Sequence, residues 1–255
     1  MGQVIKTRAD GDLLRITLAR PEKKNALDLD TLQRLAEAIE GCKARVILLD
    51  AEGDVFCGGG DIEVMRDFAG NRDATVERLR SGLNRVVKAL RDAPPVVCAV
   101  QGNAYGAGAI LAFQCDLTVA SEEAAFALSF RHVGLIPDTG ATWLLPRRLG
   151  LQRAKHLVWT GASFTAAEAA AWGLILRSVP KAQVKTQAEQ LAKGLADGPL
   201  ATMRLAKSAL QDNAEAPLDD ALEREALTQG EAFTTAEHAE GRDAFFARRR
   251  PDFKR

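Results

Sequence analysis

At 255 residues, 47% of them hydrophobic and 27% charged, the chain is long enough to bury a core without disulfides or metal ions. Its 34 basic residues are matched by 34 acidic ones, which argues against a broad nucleic-acid or anionic-membrane footprint. No apolar run approaches the length of a membrane span, and the N-terminal MGQVIKTRADGD lacks a signal-peptide stretch, so the chain is expected to stay in the cytoplasm where it is made. Cys42, Cys57, Cys98 and Cys115 lie in apolar or glycine-rich surroundings without CxxC spacing and read as reduced, small core residues, not zinc ligands.

In chain order, QVIKTRA and GDLLRITLARP are strand-like and joined by the turn-prone Asp10, Gly11 and Asp12, which predicts a hairpin. Asp28 is placed to cap a helix in which Leu29, Leu32, Ala36 and Ile39 recur at helical spacing. ARVILLD is a fully apolar strand that turns at Gly53 and Asp54 and leads to VFCGGGD. Residues 76–91 have helical period, PPVVCAV is a second buried strand, and QGNAYGAGA follows it. LTVA is a third strand and 125–133 is extended; Pro137 breaks the chain, and a helix resumes from about Thr139. From Leu151 onward the pattern is almost entirely helical, with segments at 181–196, 201–212, 218–233 and 236–248. The third of these shows Leu218, Leu222, Ala226 and Phe233 on one face, which must pack on the core or on another subunit. Strands alternating with helices imply parallel crossover units and an α/β fold.

Two buried strands each run into a loop of very small residues: Gly58, Gly59 and Gly60 in the first, Gly106, Ala107 and Gly108 in the second. Such residues let a ligand approach the main chain, and backbone N–H groups there can converge on one oxygen. The second loop leads into GAILAF, a helix whose N-terminal N–H groups favour negative charge. The loops make neither a GxGxxG dinucleotide pattern nor a P-loop, so they point to an oxyanion hole in preference to a nucleotide cradle.

RPEKKNALD, VFCGGGDIEVM, VQGNAYGAGAILA, GLIPDTGATWLLPR, TGASFTAAEAAAWGLI and EGRDAFFARRRP, spread from about Asp10 to Arg255, resemble the crotonase (enoyl-CoA hydratase/isomerase) superfamily in order and spacing. The resemblance implies a ClpP-like ββα spiral core over residues 1–198, carrying the acyl-CoA site, and a C-terminal helical trimerisation region over 199–255. It implies an acyl-CoA thioester as substrate, with coenzyme A part of that substrate and no separate cofactor, and a homotrimer or dimer of trimers; charge balance, hydropathy and cysteine spacing add the expectation of no nucleic-acid partner, no membrane partner and no metal. Matched residue by residue, the two oxyanion donors fall on the N–H groups of Gly58 and Ala107. Gly59, Gly60 and Asp61 continue the substrate-binding segment, and Lys23, Lys24 and Ala26 lie where the family runs along CoA.

The two glutamates with which hydratases of this family hold water fall on Ile110 and Phe130, both apolar. Asp138 in IPDTG is the nearest replacement, at a position that carries the acting aspartate in several isomerases of the superfamily. The stretch FALSFRHVGLIPDTGATWLLPR looks most like the ring-epoxide isomerases of phenylacetyl-CoA degradation. An aspartate after proline and before a helix is also a good N-cap, and that reading stands beside the catalytic one. A carboxylate facing Ile110, Phe130 and Trp143 would have its pKa raised by desolvation toward the range of proton transfer. Met65, Phe68 and Trp143 are candidate acyl-pocket walls, each equally readable as core. The expected activity is therefore an enoyl-CoA or ring-epoxide acyl-CoA isomerase with one catalytic aspartate; a hydratase or lyase using Asp138 alone, or a non-catalytic acyl-CoA binder, are the alternatives.

Overall fold

A computed structural model describes residues 3–254; Met1, Gly2 and Arg255, which end the two regions assigned above, lie outside the described residues. The predicted hairpin forms from β1 (Ile5–Asp10) and β2 (Leu13–Leu18), antiparallel, with Gly11 at φ +58° in the turn. Helix α1 (Leu29–Glu40) starts at Asp28, whose carboxylate accepts the Thr31 N–H at 2.8 Å, and buries Leu32, Leu35, Ala36 and Ile39.

Three ββα turns follow. The first is β3 (Val46–Ala51) and β4 (Val55–Cys57), then α2 (Ile62–Met65), α3 (Arg72–Ser81) and α4 (Leu83–Asp92). The second is β5 (Val96–Val100), β6 (Asn103–Tyr105) and α5 (Ala107–Gln114); the third is β7 (Leu117–Ser121), β8 (Ala125–Ala127), α6 (Ala141–Leu149) and α7 (Leu151–Thr160). The chain continues through β9 (Ser163–Thr165), α8 (Ala166–Ala171), β10 (Arg177–Val179), α9 (Val184–Ala196), α10 (Leu200–Asn213), α11 (Leu218–Phe233) and α12 (Ala236–Phe246).

The first strand of each turn enters a six-stranded sheet ordered β1-β2-β3-β5-β7-β10, parallel from β2 onward; the second enters a four-stranded sheet ordered β4-β6-β8-β9. Central parallel strands are covered on both faces, which is why VILLDA and VVCAV are apolar at nearly every position. Their alternate side chains divide between two packings. Leu48, Val97, Ala99 and Val119 meet the alanine face of α9 (Val184, Ala188, Ala192, Ala196), and Ile47, Leu49, Cys98, Val100 and Ala120 meet the main core.

Three expectations are corrected, and one pair of alternatives is narrowed. Residues 76–91 are not one helix: α3 and α4 part at Gly82, where a Cβ would lie 2.9 Å from the Arg78 carbonyl and 3.0 Å from Leu32 Cδ1. Only 125–127 of the segment 125–133 is strand, and Ser129–Val133 is a 3-10 turn. The region after Leu151 is not all helix, because β9 and β10 complete the two sheets; at three residues each they are too short to show a two-residue period. Among the described residues the face of α11 is not packed on the core: Leu218, Leu222 and Phe233 are 72%, 52% and 60% exposed, with the Phe233 ring 4.4 Å from that of His238, so of the two expected covers the core is ruled out.

Candidate active site

The four-stranded sheet assembles the site. β4, β6 and β8 are parallel neighbours, so their C-terminal ends deliver Gly58–Gly60, Gly106–Ala107 and Phe130 to one edge. The loops touch. A Cβ on Gly59 would lie 2.9 Å from the Tyr105 carbonyl and 3.7 Å from the Ala107 nitrogen, and one on Gly108 would lie 2.6 Å from Cys57 Cβ and Sγ. Glycine is required at both positions by contact, and at Gly59 also by φ +96°. The Gly106 N–H is tied to the Ala127 carbonyl at 2.9 Å, fixing the turn before α5.

Hydrogen-bond accounting separates the candidate donors. The Gly58 N–H donates to the Lys24 carbonyl at 2.8 Å, so Gly58 does not fit the oxyanion role assigned to it from sequence. Leu27 then sits in a parallel bridge against Gly60: its N–H donates to the Gly59 carbonyl at 2.8 Å and its carbonyl accepts the Asp61 N–H at 3.1 Å. In a parallel ladder the residue between those two contacts points its own N–H and C=O to the opposite side. Among the described residues the Gly60 N–H has no hydrogen-bond partner, and neither has that of Ala107, the first residue of α5. The sequence could not separate Gly58 from Gly60, because the choice is made by pairing with residues 24–27.

That pairing depends on Asn25, which the sequence reading did not single out. Lys24 and Asn25 both adopt left-handed backbone, φ +52° and +53°, and Asn25 is 2% exposed. The Asn25 side chain accepts the Arg20 N–H at 2.9 Å and donates to the Glu52 and Val55 carbonyls at 2.9 and 2.8 Å, pinning the loop to the β3–β4 turn. Its carbonyl accepts the Cys57 thiol at 3.1 Å. Burial pushes that thiol up to about 12, so Cys57 is a spacer and not a nucleophile. Arg20 reaches the Ala26 carbonyl at 3.0 Å and the Asp28 and Asp61 carboxylates at 2.7 and 3.4 Å. The Asp61 side chain is thus turned inward, where it also caps α2 through the Glu63 N–H; as a side chain it holds the loop and does not face a ligand. Lys23 and Lys24 are exposed, and Lys23 forms an ion pair with Glu63 at 2.5 Å across the two loops.

Asp138 lies on the loop between β8 and α6. That helix begins at Ala141 with Gly140 as its cap and no side-chain cap bond, so the N-cap reading of Asp138 is set aside. The carboxylate accepts the Thr139 hydroxyl at 2.9 Å and has no ion-pair partner among the described residues. Burial raises its pKa above the ordinary aspartate range, against the opposing pull of that hydrogen bond. Thr139, a β-branched residue, is held at φ +56° and is 2% exposed, with its carbonyl fixed by the Gln114 amide at the end of α5, 2.9 Å away. Ile110 is wholly buried in α5, and Phe130 reaches within 3.9 Å of where a Gly106 Cβ would be. Met65 presses its methyl group against Gly60. Trp143 does not join them: it is 50% exposed, under the Arg147 guanidinium at 4.3 Å, on the side of α6 opposite Ala141. A separate cavity of about 580 Å³ between α1, α3, α4 and α10 is lined by charged residues such as Arg80, Arg85 and Asp92, and by none of the candidate site residues.

Stacked ββα turns that bring two unpartnered amide donors to one sheet edge, with a desolvated carboxylate on the loop before α6, form an α/β scaffold able to hold a carbonyl oxygen. Residues 8–255 match the enoyl-CoA hydratase/isomerase family. The chain is 36% identical to 1,2-epoxyphenylacetyl-CoA isomerase of Escherichia coli strain K12 over 99% of both chains, and 30% identical to short-chain-enoyl-CoA hydratase of Clostridium acetobutylicum over 94% of both. Enoyl-CoA hydratase of Mycobacterium smegmatis superposes with a TM-score of 0.94 at 28% identity, covering 100% of both chains. The protein belongs to the enoyl-CoA hydratase/isomerase family, has the crotonase fold, and is an acyl-CoA enzyme of that family. Among the described residues no helix is long and apolar enough to cross a membrane.

Proposed function

We propose that the protein is an acyl-CoA isomerase in which the N–H groups of Gly60 and Ala107 hold the thioester oxygen and Asp138 moves the proton. The observation that carries this reading is a half-buried, non-capping carboxylate at 138 in a chain whose positions 110 and 130 are apolar. Two fixed donors stabilise the enolate and make the α-proton removable. The ionised Asp138 accepts that proton from the α-carbon as the C–H electron pair passes into the enolate. The resulting carboxylic acid then returns the proton at the far end of the conjugated system, so the double bond shifts and no water is consumed. The same base adjoining an enolate suits epoxide-bearing acyl thioesters, the class to which the substrate of the Escherichia coli 1,2-epoxyphenylacetyl-CoA isomerase belongs. Lys23, Lys24 and Ala26, on the loop paired to Gly58–Gly60, lie along the CoA in this reading, and the exposed face of α11 is covered in a trimer or dimer of trimers.

The test is incubation with 3-enoyl, 2-enoyl and ring-epoxide CoA thioesters in deuterated water, read by mass spectrometry. Isomerised, deuterium-bearing product that disappears in Asp138→Asn, with CoA-thioester binding retained, supports the assignment. Hydrated product in place of isomer would move the protein to the hydratases, and binding without exchange would make it a non-catalytic binder.

A further inference from the structure

Arg78, on α3, has a terminal guanidinium nitrogen that is shut off from solvent and has no hydrogen-bond partner. No ion pair reaches this side chain among the described residues, although Asp73 and Glu77 share its helix and Asp67 lies in the preceding turn. The guanidinium lies instead over the Phe68 ring, 4.9 Å from its centroid. Phe68 ends the helical stretch that begins at Asp61, whose Met65 methyl touches Gly60. The span from Gly60 to Phe68 along those turns is about 12 Å. A buried guanidinium nitrogen without an acceptor is destabilising, and it is satisfied when an oxygen arrives.

We propose that Arg78 is a specificity-determining residue that receives a carboxylate at the distal end of the acyl group, so that the preferred thioesters are ω-carboxyacyl-CoA compounds. The inference rests on the reading of Gly60 and Ala107 as the thioester end of the site. Phe68 and Met65 supply the apolar wall along which the methylene chain runs, and the planar guanidinium supplies a fork matched to a carboxylate. Phe68 keeps that fork in place by cation–π contact before the ligand binds.

The experiment compares binding of CoA alone, alkanoyl-CoA and ω-carboxyalkanoyl-CoA to the wild type, Arg78→Met and Arg78→Lys by calorimetry. Chains of roughly four to eight carbons are used, a range that fits within the span estimated above. The wild type is expected to favour the carboxylated member of each equal-length pair by about tenfold at the best-fitting length. Arg78→Met should abolish that preference while binding plain alkanoyl-CoA as the wild type does, which also reports an intact fold; Arg78→Lys should keep part of it. No preference in the wild type, or one that survives in Arg78→Met, would overturn the proposal. So would an equal loss for CoA alone, which would assign the guanidinium to the coenzyme portion. If no thioester binds the wild type, the reading of the glycine loops falls as well.

Discussion

Asp138 is held in surroundings that disfavour its charge, and the consequence for stability has a definite sign. A carboxylate whose folded pKa lies above its unfolded value favours the folded state fully only while protonated, below the unfolded pKa, and that contribution is lost as pH rises through the folded pKa. Asp138→Asn should therefore raise Tm at neutral pH and leave it nearly unchanged in acid below the ordinary aspartate range; thermal melts across pH check both limbs. The same shift places the rise of kcat/KM with pH above the ordinary aspartate range, where the base form appears. Ala107 offers a test of a donor that is otherwise hard to remove. Proline is tolerated at the first position of a helix, and Gly106, at φ +50° and ψ −124°, has no Cβ to clash with the ring. Ala107→Pro should fold with unchanged circular dichroism while kcat falls by about a hundredfold or more.

At the scale of elements, the site depends on how closely α5 approaches β4. Gly108 Cα lies over Cys57, and an added methyl group would meet the Cys57 carbonyl at 2.7 Å as well as its side chain. Backbone cannot swing aside as a flexible side chain does, so Gly108→Ala should cost about 1–3 kcal/mol in urea unfolding and lower activity by shifting the Ala107 amide. These element relations explain what the sequence could and could not show. The central strands, the hairpin and α1 were legible because continuous apolar runs, a turn and a capping aspartate each have a local physical cause. The two glycine loops were legible as close-approach sites for the same reason. What escaped were outcomes of pairing at a distance: Gly60 and not Gly58 as the free amide, the orientation of Asp61 toward Arg20, and the role of Asn25, whose partners are backbone atoms 27 and 30 residues on. The position of Trp143, half exposed under Arg147, was not legible because the outward side of α6 is set by the packing of Ala141, Leu144 and Leu145 beneath it.

For the whole molecule, the C-terminal helices matter most. α11 has no buried residue, yet it carries Leu218, Leu222, Leu227 and Phe233 on its surface, a set that a chain alone in water would leave wet. Phe233→Asp should shift the species seen by light scattering toward a smaller assembly, with little change in the far-ultraviolet spectrum of the core.

The apolar residues at 110 and 130 bear on how this scaffold could be turned to other chemistry. With Ile110 sealed inside α5 and Phe130 lying over the Gly106 turn, an attacking water has no carboxylate to steer it from that side, and a glutamate introduced at 110 alone would enter a dry interior as a neutral acid. Conversion to hydration would need both carboxylates and room for solvent between them, so the route from proton shuttle to water addition is a matter of excavation before it is one of substitution.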